Sequence, residues 1–339
     1  MELVEPVWYA IRNMVSRRTL LAAIAAAPAA ALLPRRAFAA YPDHPIRLIV
    51  PFAAGGNADI VGRLIGNEIS KRLGQPVVVE NRAGAGGSVG AALVAHSAPD
   101  GYTLLVASNG PLAVNPFVQE HLGYDPLKDF APIALTSYVP HALLLTDKLE
   151  VKSVADLIML SKRSPLTIAT SGVGSATHMT LERLKAATGA RITHVPYRSG
   201  GSLLPDVISG SVQGALTEFS TALPLHKSGQ AHIIGIAAAR RSDLAPEIPT
   251  FDESGVKGFT AESYVGLVAP AKTPSDIIAR LQHAVDEGFS GGDAVERLVG
   301  LGAEIAAPEQ RTSQGFADFI RTDYENMRAA ASLAGLTPP

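Results

Sequence analysis

The chain has 339 residues, of which 47% are apolar and 18% charged, with a formal net charge of −2. At roughly 150 residues per domain, this length fits two globular domains with sizeable cores. With no cysteine, the chain excludes disulfide scaffolds, cysteine–zinc sites, iron–sulfur clusters and thiol catalysis, and its near-neutral charge offers no basic surface for nucleic acid.

In chain order, the first feature is an uninterrupted apolar run of 14 residues, Leu20 to Leu33, behind the basic pair Arg17-Arg18. It falls short of the roughly 20 residues that span a membrane, and it carries Pro28 in its middle. Ala37-Phe38-Ala39 follows as a small-residue cleavage site. This order predicts a signal peptide over residues 1–39, cleaved near Ala39, with the paired arginines pointing to twin-arginine export. Arg35 and Arg36 before the cleavage site suit the same route, and Met14 would serve as start codon as well as Met1. The competing reading is an ordinary amphipathic N-terminal helix. An exported chain without these residues carries 24 basic and 29 acidic residues, a net charge of −5, and is expected to be periplasmic and soluble.

From Tyr41 onward, short β-rich runs alternate with helical patterns. Ile46–Val50, Val77–Glu80 and Tyr102–Ala107 read as strands, each followed by a glycine-containing turn and a helical pattern. The pattern restarts with Leu143–Leu145, Thr167–Thr170, Thr193–Pro196, Gly214–Leu216 and Ile233–Ala238, and helices are predicted over Val154–Arg163 and Thr177–Ala187. A last strand run, Tyr264–Ala269, precedes two helices, Ser275–Phe289 and Gln310–Leu333. Strands separated by helices of ten or more residues predict an α/β fold with mainly parallel sheets, whose connecting turns gather at one edge. No flexible linker divides the chain, so strands are expected to cross between domains.

Several catalytic and cofactor motifs fail. Gly84-Ala85-Gly86-Gly87-Ser88-Val89-Gly90 lacks the third glycine of a dinucleotide fingerprint, because Val89 stands there. There is no Gly-Lys pair for a phosphate loop, no G-x-S-x-G elbow and no H-E-x-x-H zinc site. The nine histidines are scattered without metal-ligand spacing, and Ser254-Gly255-Val256-Lys257 matches S-x-x-K without its companion motifs. No catalytic residue, metal or cofactor is therefore expected.

Three turns share one property. Pro51–Asp59, Thr170–His178 and Tyr197–Ser202 each precede a helix, are built from small residues, and would present free backbone N–H groups at its N-terminus. Ser171, Ser175, Thr177 and Ser199 add hydroxyls without adding charge. Turns facing each other across two domains can clamp a carboxylate-bearing ligand. The same glycines and hydroxyls also serve tight turns and helix caps. Asp59 reads as structural, since it complements a helix dipole and would repel an anion. His178 either orients its turn or touches the ligand, Arg82 orders a loop, and Phe52 and Tyr197 either wall a pocket or pack between domains.

Longer stretches carry a family resemblance. Tyr41-Pro42-Asp43-His44-Pro45-Ile46-Arg47-Leu48-Ile49-Val50-Pro51-Phe52, the Gly55-Gly56-x-x-Asp59 turn, Gly74-Gln75-Pro76-Val77-Val78-Val79-Glu80-Asn81-Arg82, Ala98-Pro99-Asp100-Gly101-Tyr102-Thr103, His194-Val195-Pro196-Tyr197 and Gly266-Leu267-x-Ala269-Pro270 fall in order over residues 41–330. In these the chain resembles the Bug-type periplasmic solute-binding proteins of tripartite tricarboxylate transporters. The resemblance implies a two-lobed periplasmic-binding-protein fold of type II-like form, with residues 41–140 plus 264–339 as lobe 1 and 141–263 as lobe 2. It implies a ligand site of Phe52, Asn57, Ala58, Asp59, Ser108 and Asn109 from lobe 1. Lobe 2 would add Ser171, Gly174, Ser175, Ala176, Thr177 and His178, then Tyr197, Ser199 and Gly200, then Thr217, Glu218 and Phe219.

The implied ligand is a small organic acid or acidic amino acid. The implied partners are the large and small membrane permease subunits of a cation-coupled transporter, and the protein is expected to act as a monomer. Three departures from the family pattern stand out: Ala54 where proline is common, Ala176 where a hydroxyl is common, and Thr217-Glu218 where Asp-Asn is usual. Glu218 near the cleft would oppose a second ligand carboxylate unless it is protonated or pairs with an ammonium or hydroxyl group, or it points away. A sensor feeding a two-component kinase and an exported hydrolase are the alternative functions.

Overall fold

The computed structural model describes residues 41–333, and the signal segment expected over residues 1–39 lies outside them. The described residues open on β1 (Ile46–Val50), whose apolar residues are almost wholly buried. Helix α1 (Asn57–Leu73) follows and ends on Gly74 in the left-handed conformation, φ 74°. It lies close on the sheet because two of its positions lack side chains. A Cβ on Gly62 would stand 2.9 Å from Val106 Cγ2 and 3.0 Å from Val50 Cγ2. β2 (Val77–Asn81) and β3 (Thr103–Ala107) flank β1, both parallel to it, with α2 (Ser88–Ala95) between them in sequence. β2 is half-exposed at the edge, whereas β3 is buried throughout.

β4 (Phe130–Thr146) is the strand that joins the two halves of the molecule. Its first part, Phe130 to Pro140, pairs antiparallel with β9 (Glu262–Pro270), which in turn pairs with β3. Its last part pairs on one side with β7 (Gly214–Glu218) and on the other with β8 (Ala231–Ile236). Beyond β7 come β5 (Leu166–Thr170) and β6 (Ile192–Pro196), all parallel. The strand order is β2-β1-β3-β9-β4-β7-β5-β6, so the ends are parallel and the centre, where β9 and β4 cross, is antiparallel.

Helices α3 (Val154–Arg163), α4 (Ala176–Thr188), α5 (Leu204–Ser209) and α6 (Phe219–Ser228) connect the strands of the second half. α7 (Ser275–Gly288), α8 (Asp293–Gly300) and α9 (Ser313–Leu333) return to the first, where the two-residue strand β10 (Glu304–Ile305) adds to β4. Each half has its own core: Ile49, Leu105, Leu135, Tyr264 and Phe316 in one, and Leu143, Ile168, Leu216 and Phe251 in the other. Among the described residues, no helix is long and apolar enough to cross a membrane.

The sequence predicts only Leu143–Leu145 of β4. The preceding residues include Pro132 and Pro140, which interrupt a strand pattern, and the register with β9 shifts between Pro132 and Ala134 and between Leu135 and Ser137. Proline is tolerated at such irregular positions because no ladder N–H is required there. Helix α8, an eight-residue amphipathic segment behind Gly291-Gly292, has no counterpart in the sequence-based expectation. Replacing Gly62 by valine would force α1 off the sheet. Gly62→Val is expected to lower stability by about 1–3 kcal/mol, read as a lower urea midpoint at unchanged slope.

Candidate functional site

The turns after β1, β5 and β6 meet at the junction of the two halves, where backbone touches backbone. A Cβ on Gly201 would stand 2.5 Å from the Gly55 carbonyl carbon, and one on Gly56 would stand 3.3 Å from the Gly200 nitrogen. The Ala53 N–H donates to the Arg198 carbonyl at 3.1 Å, and the Ser220 hydroxyl donates to Asn57 Oδ1 at 3.0 Å. On the flank, a Cβ on Gly86 would lie 2.4 Å from the Val173 carbonyl oxygen. Glycine is required at these contacts by steric exclusion.

These contacts enclose a cavity of about 30 Å³. At roughly 10–15 Å³ per water molecule, it holds about two. From the first half it is lined by Phe52, Asn57, Ala58, Ser108 and Asn109, and from the second by Ser171, Ser175, Ala176, Ser199, Gly200 and Glu218. All eleven are sequence-predicted. The structure adds Gly56, Gly110 and the strand segment Ser263-Tyr264-Val265. Tyr264 opens the run read as a plain core strand and Ser263 precedes that run, and nothing in the hydropathy marks either.

The electrostatics follow from the elements. Helices α1, α4 and α6 all begin at the cavity wall, which places the positive ends of their dipoles there. Ser108 Oγ, Ser171 Oγ and Tyr264 Oη are buried with no hydrogen-bond partner. Buried hydroxyls without protein partners are costly, so the three on residues lining this cavity are available to a polar guest. Among the described residues, no lysine, arginine or histidine lines the cavity, and Glu218 is its one carboxyl group. Glu218 keeps partial exposure, but toward an enclosed space, and burial pushes its carboxyl above the usual range.

The other predicted residues stand behind the wall. Asp59 accepts from the Gly55 N–H at 3.0 Å, from Arg63 at 2.9 Å and from Asn81 at 2.9 Å, which fixes the turn from behind. Burial raises its pKa, but these bonds outweigh burial and hold the carboxyl below its ordinary value. Thr177 accepts from the Ser171 N–H at 3.1 Å, and His178 Nδ1 accepts from the Gly174 N–H at 3.3 Å. Thus His178 orients its turn. Tyr197 donates to Asp206 and lines a neighbouring recess of about 240 Å³ that shares Phe52 and Ser171 with the cavity. Thr217 donates to Glu218 at 3.2 Å, whereas Phe219 is fully buried against Gly302. Arg82 pairs with Glu80 at 2.9 Å. Ser175 caps α4 by accepting from the His178 N–H at 3.1 Å.

Three comparisons with known proteins bear on this geometry. A family model described as the tripartite tricarboxylate transporter family receptor (TctC) matches residues 61–331. Protein BugT of Bordetella pertussis is 36% identical over 281 residues, covering 81% of this chain and 86% of that protein. Among solved structures, R. palustris Rpa4515 with adipate superposes with a TM-score of 0.83 at 33% identity, covering 88% of this chain and 100% of that one. MatC (Rpa3494) from Rhodopseudomonas palustris with bound malate gives 0.82 at 34% identity, covering 86% and 99%.

The two imidazoles behind the second-half turn stack at 4.4 Å, His178 on His194. Burial first, and His178 second, lower His194 from its ordinary 6.5 to about 4. Its neutral form therefore stabilises the fold above 6.5, and that contribution is lost as pH falls toward 4. The melting temperature is expected to drop across this window, and to drop less in His194→Gln.

Proposed function

This chain belongs to the tripartite tricarboxylate transporter receptor family, and from that premise we propose that its cleft captures a small carboxylate-containing metabolite by closing two lobes around it. Members of the family are periplasmic solute-binding receptors rather than enzymes. The observation that carries the ligand class is the cavity wall: three helices begin at it, three residues with partnerless hydroxyls line it, and no cation does. Such a wall binds an anion through dipoles and N–H donors rather than through an ion pair. Charge-assisted bonds contribute about 1.5–3 kcal/mol each, so four or five reach the roughly 8 kcal/mol of micromolar affinity after closure costs. That the related proteins Rpa4515 and MatC hold adipate and malate supports the same class.

The site residues proposed are those lining the cavity, with Asp59, Thr177 and His178 holding the turns in shape. The lobes assigned are residues 41–140 with 264–339, and 141–263. The boundary follows β4, which changes partners from β9 to β7 and β8 at Pro140–His141. A space for about two waters is too small for a four-carbon acid. The ligand therefore enters with the lobes apart, and bending falls on the strands β4 and β9 where they pass between lobes. Export by the signal segment over residues 1–39, action as a monomer and delivery to a large and a small permease subunit complete the reading.

Thermal-shift titration with C4 to C6 dicarboxylates tests it: one of these acids is expected to raise the melting temperature with concentration. Ser171→Ala removes a hydroxyl that caps nothing and is expected to weaken that binding by about 1–3 kcal/mol. Gly201→Ala blocks the approach of the two turns, and should abolish the ligand-induced compaction seen by small-angle scattering. Failure of the whole acid panel, or wild-type affinity in Ser171→Ala, would refute the site.

A further inference from the structure

Glu218 is the N-terminal flanking residue of α6 and the strand partner of His141. It is tied to a buried chain of groups. Ser263 Oγ lies 3.3 Å from Glu218 Oε1 and 2.8 Å from His141 Nε2. His141 Nδ1 lies 2.9 Å from the Thr180 hydroxyl, which donates its proton to the Ala176 carbonyl at 3.0 Å. With that proton on Ala176, Thr180 accepts from His141, so His141 carries its hydrogen on Nδ1. His141 is fully buried and stays neutral, its pKa pushed down to about 3 by burial first and by Arg183 second. Its Nε2 is then an acceptor and takes the Ser263 proton. The Ser263 oxygen has only lone pairs left for Glu218, and an ionised Glu218 cannot bond to a lone pair.

Two further observations agree. The oxygens of Glu218 stand 3.2 and 3.3 Å from their hydroxyl partners. Hydroxyl-to-carboxylate bonds are about 2.5–2.7 Å. Nor does any cation face the group: β4 offers neutral His141, α4 offers Arg183, which acts on His141, and β9 offers Tyr264, held well above its ordinary pKa by burial.

We propose that Glu218 is carried as an uncharged carboxylic acid, donating to Ser263 and accepting from Thr217, and that this makes it the specificity-determining group of the cleft. Resting on the carboxylate reading above, it names the substrate class more narrowly: organic acids in preference to amino acids. An uncharged Glu218 leaves room for a second carboxylate or a hydroxyl at its end of the cavity. An ammonium group would meet helix N-termini and no anion, and is rejected on charge. His141 and Ser263 act as positioning residues that keep the proton on Glu218.

Glu218→Gln tests this, because the glutamine amide reproduces the same pattern, N–H to Ser263 and C=O from Thr217. Infrared difference spectra of ligand-free wild type minus Glu218→Gln at about pH 8 are expected to contain a protonated-carboxyl C=O band. Since a raised carboxyl pKa costs stability as pH rises, the variant should melt progressively higher than the wild type above about pH 5. Calorimetry with malate against aspartate, and adipate against 2-aminoadipate, is expected to favour the plain acid at least about tenfold in wild type, with the ranking kept in Glu218→Gln. Carboxylate bands in place of the protonated band, or a variant that melts lower at alkaline pH, would overturn the uncharged state. Tighter binding of the amino acids, reversed in Glu218→Gln, would overturn the specificity. If none of the four acids binds, the carboxylate reading fails with its ligand preference, and the two ligand-free arms still decide the state of Glu218.

Discussion

The site depends on backbone meeting backbone across the junction of the two halves. Gly55-Gly56 and Gly200-Gly201 approach so closely that a single methyl group on Gly201 would penetrate the Gly55 carbonyl. Side chains cannot be interposed there, so the amides of facing turns reach the same small space. A guest is then held by dipoles and N–H groups that belong to the fold itself. This explains how a cavity without lysine, arginine or histidine can be an anion site.

Such turns need support, because glycine-rich backbone is intrinsically loose. The support comes from charged and polar residues just behind the wall. Asn81 donates to the Phe52 carbonyl at 3.0 Å and to Asp59 at 2.9 Å, tying the first turn to the edge strand β2. Asn115 donates to the Gly86 carbonyl at 3.0 Å and to Ser88 at 2.7 Å. Asn109 accepts from the Tyr264 N–H at 3.0 Å and donates to Asp323 of α9 at 3.3 Å. Burial pushes Asp323 up to about 7, the Asn109 bond opposing it. Asn81 and Asn115 thus hold backbone carbonyls through their amide donors, and Asn109 holds a backbone N–H through its acceptor.

The division of labour between charge and position resolves the apparent conflict at Glu218. An ionised glutamate in this wall would cancel the field of three helix ends. Burial next to Thr217, Ser263 and a neutral histidine favours the uncharged acid instead, which contributes hydrogen bonds and volume. Asp59, which does not line the cavity, shows the opposite outcome: Arg63, Asn81 and the Gly55 amide hold its carboxyl below its ordinary value. Two carboxyl groups in one site differ in charge because their partners differ.

Much of this was legible in the residues. Alternation of β-rich runs with helical patterns located nearly every strand, since burial on both faces leaves continuous apolar segments such as Leu104–Ala107. The glycine turns and their hydroxyls held eight of the cavity residues, and the family resemblance supplied Ser108, Asn109 and Glu218. The full length of β4 escaped notice because Pro132, beside a register shift, and Pro140, where the strand changes partners, interrupt its pattern. Ser263 and Tyr264 escaped because their role depends on which strands lie beside β9. The sequence by itself determined the α/β class and the chemistry of the turns, which are local properties of neighbouring residues. Only the tertiary structure decided which hydroxyls lack partners and whether Glu218 carries a proton, because both depend on groups far apart along the chain, such as His141, Thr180 and Ser263, meeting in one desolvated place.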